Sequence, residues 1–316
     1  MSFHVYTVLA LLFLSFGVQN AYSQNPRTVE DFNNRGLARQ GNGDLQGAID
    51  DYTKAIAMKP RGVVLAIVYN NRANAFMTRN DFDSAIADYT KAIEVQPDDA
   101  ENYYNRGVAL QNKNSFDAAI ADFTKAIELS PRFALAYNNR GNARSGKGDV
   151  DGAIADYTQA IGFDRKSASA YYNRGIALQS KGRQEDAIRD FTVTLDLSPD
   201  FFLANINRAV ARLEMGDLEG SITDYDRALQ FKQDDPGIYY GRGSARQKKK
   251  DLEGALADYT RVIELDPRHA LAYANRGVVK GLQKKTAEAR SDFEKAFALD
   301  PSLKAVYREF SERQRP

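Results

Sequence analysis

At 316 residues the chain is long enough for two globular domains, yet it contains no cysteine and only two histidines, His4 and His269. Disulfides, thiolate nucleophiles and cysteine-ligated metals are therefore excluded, and catalysis is left with few of its usual groups. The 43 basic and 42 acidic residues give a formal net charge of +1, too balanced for a nucleic-acid binder that works by neutralising phosphates.

In chain order, residues 1–26 carry no Asp, Glu, Lys or Arg. Val5–Val18 is an apolar run, and Ala21-Tyr22-Ser23 puts small residues before Gln24, as at a secretory cleavage site. A signal peptide is expected over residues 1–23, cleaved near Ser23/Gln24 to release a periplasmic or secreted product. The pattern is departed from in one respect, because His4 is the only basic side chain near the start. The competing reading is an uncleaved membrane anchor, for which the run is short.

From residue 29 onward the chain repeats itself. The triplet Asn-Arg-Gly recurs at 105–107, 139–141, 173–175 and 275–277, always in multiples of 34 residues. A period of that size signals stacked supersecondary units, each touching only its neighbours. Eight repeats result: 29–62, 66–99, 100–133, 134–167, 168–201, 202–235, 236–269 and 270–303, with a three-residue insertion near Arg61–Leu65. Within each, position 8 is Gly or Ala, position 20 is Ala or Ser, and position 24 is Tyr or Phe. Small residues on two helices allow close approach, and one ring per repeat fills the space that a helix pair leaves open.

Turn residues agree with this frame. Gly43, Asn80, Asn114, Gly148, Gly182 and Gly216 stand at position 15, where a helix ends in a left-handed residue. Asp44, Asp81, Asp149, Asp217 and Asp251 follow and suit the cap of a second helix. Prolines close six of the eight repeats, from Pro60 to Pro301.

These residues together resemble the tetratricopeptide repeat, over nearly the whole chain after residue 28. The resemblance implies an all-α fold: a right-handed α-solenoid of eight helix–turn–helix units, with a C-terminal capping helix over residues 304–316. It also implies a non-catalytic scaffold that holds a protein or peptide partner in a concave groove. No cofactor, metal or nucleic acid is expected, and a membrane only through an uncleaved N-terminal segment. A structural homo-oligomer and an accessory subunit of an enzyme complex are the alternatives.

Two departures from the family pattern are informative. Position 4, usually tryptophan, is tyrosine except for Phe32 and Asn205. Position 7, usually leucine, is arginine in every repeat, from Arg35 to Arg276, and position 23 is aspartate in every repeat, from Asp51 to Asp292. Eight arginines matched by eight aspartates are expected to pair within the repeats rather than to form an anion-binding stripe. Gly141–Gly148 imitates a phosphate-binding loop but lacks the final Ser or Thr and any preceding strand. Lys248–Lys250 and Lys284–Lys285 lie in helix-connecting turns, read as solvated or as a docking patch for an acidic partner.

In the family, first helices line the groove. Position 6 is asparagine in seven repeats (Asn34, Asn71, Asn105, Asn139, Asn173, Asn207 and Asn275), with Gly241 as the exception. Position 5 adds Tyr104, Tyr172 and Tyr240 in repeats three, five and seven. Asparagine offers a donor and an acceptor, the complement of an extended peptide backbone. The spacing resembles the asparagine ladder with which related repeats of O-linked N-acetylglucosamine transferase hold peptides. Its centre is expected at Asn105, Asn139 and Asn173. The alternative is that these asparagines hydrogen-bond their own array. If they only bind, their removal leaves stability unchanged.

Overall fold

The computed structural model describes residues 26–312, and every regular element among them is helical. The segment expected to be a signal peptide lies outside the described residues. The described residues divide into two compact units, the first ending at Pro131 and the second beginning at Arg132. The first holds three helix pairs: α1 (Val29–Gly41) with α2 (Leu45–Ala57), α3 (Val63–Thr78) with α4 (Phe82–Val95), and α5 (Ala100–Asn112) with α6 (Phe116–Leu129). The second holds five: α7 (Ala134–Gly146) with α8 (Val150–Phe163), α9 (Ala168–Ser180) with α10 (Gln184–Leu197), α11 (Phe202–Met215) with α12 (Leu218–Phe231), α13 (Pro236–Lys248) with α14 (Leu252–Leu265), and α15 (Ala270–Leu282) with α16 (Thr286–Leu299). Each unit is thus an all-α array of consecutively packed helix pairs. The insertion near Arg61 is absorbed by α3, which starts at Val63 and runs for 16 residues.

Local chemistry explains where the helices stop and start. Every turn inside a pair passes through one residue at positive φ, from Gly43 at 83° to Gly216 at 83°. In repeats seven and eight that residue is Lys250 at 67° and Lys284 at 63°, where a side chain meets the backbone unfavourably. Asp44, Asp81, Asp149, Asp217 and Asp251 then accept hydrogen bonds of 2.9–3.2 Å from the amide three residues on. Lys250→Gly and Lys284→Gly are each expected to raise stability by about 1 kcal/mol. Urea midpoints of the single variants measure this, and an unchanged midpoint would show the turns to be unstrained.

Each repeat closes around its position-24 ring. Tyr52, Phe123, Phe191 and Tyr259 are fully buried, and the other four rings are at most 3% exposed. A Cβ placed on Gly36, Gly107, Gly141 or Gly175 would sit 2.6–2.7 Å from the ring of its own repeat. The glycine is therefore a seat cut for the ring. In repeat six, where Ala209 stands at position 8, the Ser221 hydroxyl donates to the Ala209 carbonyl oxygen at 2.8 Å. Gly141 seats Tyr157 and Gly148 makes a turn at φ 86°, so the phosphate-loop imitation is accounted for by packing.

The arginine–aspartate pairs form in all eight repeats. Each position-7 guanidinium donates to both carboxylate oxygens of its position-23 aspartate, at 2.6–3.2 Å. All eight aspartates are 0–6% exposed. In five repeats a second cation at position 11 joins the carboxylate: Arg39, Arg144, Arg212, Arg246 and Lys280. The same arginine also reaches back to the preceding repeat. Arg72 donates to Thr53, Arg106 to Thr90, Arg174 to Thr158, Arg208 to Thr192 and Arg276 to Thr260, at 2.9–3.3 Å. One buried charge network thus closes a repeat and fastens it to its neighbour.

Over residues 303–312 the expected capping helix is two short segments, α17 (Leu303–Val306) and α18 (Arg308–Glu312), which meet at Tyr307. Leu303 packs in a cluster with Ala274 and Ala296, and Tyr307 lies against that cluster.

Burial also sets an alkaline limit. It pushes the Tyr225 phenol up to about 12, and Tyr52, Tyr157 and Tyr259 higher still. A phenol whose folded pKa is raised supports the fold fully below its ordinary value of about 10 and loses that support as pH rises. Stability is expected to fall between about pH 10 and 12. Tyrosinate absorbance should appear together with loss of helical circular dichroism, and Tyr225→Phe should shallow the decline.

Candidate functional site

Each unit carries its own share of the asparagine ladder. In the first unit, Asn71 Nδ2 donates to Asn33 Oδ1 at 2.8 Å and Asn105 Nδ2 to Asn70 Oδ1 at 3.4 Å. In the second, Asn173 Nδ2 donates to Asn138 Oδ1 at 3.2 Å and to Asn142 Oδ1 at 3.0 Å. Asn207 Nδ2 donates to the Tyr172 hydroxyl and Asn275 Nδ2 to the Tyr240 hydroxyl, both at 3.0 Å. The rule is consistent: the position-6 amide donates to position 5 of the preceding repeat. Asn139 Oδ1 accepts from Asn138 at 3.2 Å, while Asn34 is exposed at the start of α1.

The donor half of Asn71, Asn105, Asn173, Asn207 and Asn275 is therefore spent inside the array. The expectation that removing these residues leaves stability unchanged gives way to a cost of ~0.5–1.5 kcal/mol for each donor bond lost. The carbonyl oxygens face a different situation. Among the described residues, Oδ1 of Asn71, Asn105, Asn173 and Asn207 has no protein partner. Asn275 differs, because its Oδ1 accepts from the Tyr307 hydroxyl at 2.8 Å. The terminal segment thus occupies the last ladder position.

The three tyrosines are packing residues as well as ladder members. The Tyr172 ring centroid lies 5.9 Å from Phe191 and 4.6 Å from Phe201, and Tyr240 lies 5.8 Å from Tyr259 and 5.0 Å from His269. Tyr104 lies 5.9 Å from Phe123. Burial raises the Tyr172 and Tyr240 phenols, and the hydrogen bonds from Asn207 and Asn275 partly oppose it. In repeats two and four the position-24 tyrosine turns its hydroxyl to the first helix, Tyr89 to Asn74 and Tyr157 to Asn142.

The gap at Gly241 has a direct cause. A Cβ there would lie 2.4 Å from the Tyr225 hydroxyl oxygen of the preceding repeat, which fills the place of the missing side chain. His269 is the cap of α15, where its Nδ1 accepts from the Ala272 amide at 3.2 Å. Of the turn lysines, Lys249 pairs with Glu219 of the preceding repeat. Among the described residues no group of His, Asp or Glu side chains is placed to hold a metal, and no helix is long and apolar enough to cross a membrane.

Comparison with known families settles the class. Models described as TPR repeat or tetratricopeptide repeat match residues 73–114, 145–182 and 211–250, residues 100–133, and residues 240–303, together more than half of the chain. The chain belongs to the tetratricopeptide repeat family. Such proteins are generally protein-interaction scaffolds. No curated protein matches it in sequence.

Several solved tetratricopeptide repeat structures resemble it. YrrB, described as having an unusual peptide-binding site, is 25% identical with a TM-score of 0.55, over 59% of this chain and 97% of that one. A tetratricopeptide repeat protein from Parabacteroides merdae is 20% identical with a TM-score of 0.55, over 79% and 98%. The C-terminal part of a repeat protein from Cytophaga hutchinsonii is 19% identical with a TM-score of 0.61, over 76% and 97%. The last two share the fold alone.

Proposed function

We propose that this tetratricopeptide repeat protein is a non-catalytic scaffold that binds an extended, largely uncharged segment of a partner protein along the asparagine ladder. One observation carries the reading. Asn71, Asn105, Asn173 and Asn207 are each held by their donor while the carbonyl oxygen is left over, so these side chains are oriented before any partner arrives. Fixed acceptors on adjacent repeats, Asn71 and Asn105 in the first unit and Asn173 and Asn207 in the second, suit the amide hydrogens of an extended backbone. The peptide-binding site described for YrrB, at 25% identity, supports the same use of the fold. Positions 2, 5 and 6 hold no lysine or arginine, which argues against clamping a terminal carboxylate.

Selection from a displayed library of random peptides tests the reading. Enriched peptides should be poor in charged residues, and their affinity should change little between low and high salt, because no exposed ion pair is formed. Enrichment of acidic or basic sequences with steep salt dependence would contradict it. The apolar Val5–Val18 run and the Ala21-Tyr22-Ser23 motif support export to the periplasm or beyond as part of the same proposal. Amino-terminal sequencing of the native protein should begin near Gln24, and a cytosolic product retaining Met1 would refute export.

A further inference from the structure

We propose a second binding site, between repeats five and six, that accepts one planar ring of the phenol or indole class. It uses none of the ladder residues. Seven repeats carry an aromatic ring at position 4, and in each the position-7 guanidinium lies 5.4–5.9 Å from that ring's centroid. These rings also cover the preceding repeat: Tyr171 packs on the cluster containing Ile161, and Tyr239 on the cluster containing Leu229. Repeat six has Asn205 instead. The ring's place is a cleft of about 260 Å³, lined by Leu195, Pro199, Asn205, Arg208, Arg227 and Phe231, among others. That is below the roughly 300–1,000 Å³ of drug-sized pockets and enough for a single ring.

Two polar features show that the cleft is more than a packing fault. Asn205 is 2% exposed, and its side-chain oxygen is buried with no hydrogen-bond partner. A buried acceptor left unmatched is costly, so an incoming N–H or O–H donor has something to gain there. Arg227 is the other. At the same position Lys91, Lys125 and Arg261 pair with a glutamate three residues on, whereas Arg227 is followed by Gln230 and has no ion-pair partner among the described residues. A guanidinium with no ion-pair partner, lining an aromatic-sized cleft together with Asp196, is available to the face of a ring. Phe231, 52% exposed, supplies an apolar wall.

The chain contains no tryptophan, so indole fluorescence reports on the ligand alone. Titrating the full-length protein with indole should give a saturable emission shift that p-cresol competes away. Asn205→Tyr, which supplies from within the ring that the other repeats carry, should keep or raise the melting temperature while weakening indole binding about tenfold or more, the worth of one buried ring contact. Arg227→Gln, at an exposed position, should weaken it severalfold with the fold intact. Competition separates the sources: an acetylated Gly-Tyr-Gly amide matching p-cresol identifies a partner's tyrosine, and a much weaker one identifies a free aromatic molecule. No saturable shift with the native protein, or equal affinity in both variants, would overturn the proposal.

Discussion

Replacing Asp224 with alanine is expected to destabilise the protein by about 3–5 kcal/mol. The carboxylate is fully buried and accepts from Arg208 Nε at 2.9 Å, Arg208 Nη2 at 2.7 Å and Arg212 Nη1 at 2.7 Å. Arg208 is itself only 5% exposed. Without the aspartate, the nearly buried Arg208 guanidinium loses its carboxylate beside a second cation, Arg212, and still has to hold Thr192 of the preceding repeat. The penalty comes from the stranded charge rather than from the pair's net worth. A double variant, Arg208→Met with Asp224→Leu, should therefore recover much of the loss. An exposed pair gives the contrast: Lys113→Ala, which removes the contact with Asp83, should cost no more than ~1 kcal/mol. Urea midpoints of the four proteins decide the matter, and equal effects at Asp224 and Lys113 would contradict a buried network.

Phe191→Ala should be as damaging, by about 3–5 kcal/mol, because its ring is fully buried and has no substitute. The ring fits over Gly175, packs with Leu178 and Ala187, and supports Tyr172 from below the ladder. Its loss leaves a hole that a helix pair cannot close without shifting. In a linear array such damage stays local, since each repeat depends on its neighbours alone. Hydrogen exchange should accordingly speed up in α9 and α10 before distant helices. Gly175→Ala probes the seat from the other side, because its Cβ would lie 2.6 Å from the Phe191 ring. Uniform loss of protection across the whole chain would argue against repeat-by-repeat packing.

Most of the fold was legible because the repeat multiplies weak signals. One glycine or one aspartate says little, but the same residue type at position 8 or 23 in every repeat leaves few arrangements. The arginine–aspartate pair could be read for that reason. Its reach to Thr53, Thr90 or Thr192 could not, since contacts between repeats have no sequence spacing of their own until the stack is known. Position 5 shows the same limit. Tyrosine at position 5 of repeats three, five and seven is visible in the sequence, whereas its tie to the position-24 ring, Tyr104 on Phe123 and Tyr172 on Phe191, needs the geometry. Gly241 looked like a lapse in the ladder until the Tyr225 hydroxyl was seen in its place. Asn205 stands out in the sequence only as an odd residue at position 4, because a missing ring leaves no motif behind.

The ladder is tested most directly by titrating a selected peptide into the triple variant Asn105→Ala, Asn173→Ala, Asn207→Ala and measuring affinity and melting temperature together. Stability should fall modestly, by ~0.5–1.5 kcal/mol for each donor bond lost, as at Asn173 and Asn207. Affinity should fall by ~1–3 kcal/mol for each peptide amide left unmatched, with helix content preserved at the temperature of the titration. A folded triple variant that melts lower but binds the peptide as tightly as the native protein would contradict the ladder's role in binding and leave it a device for joining repeats.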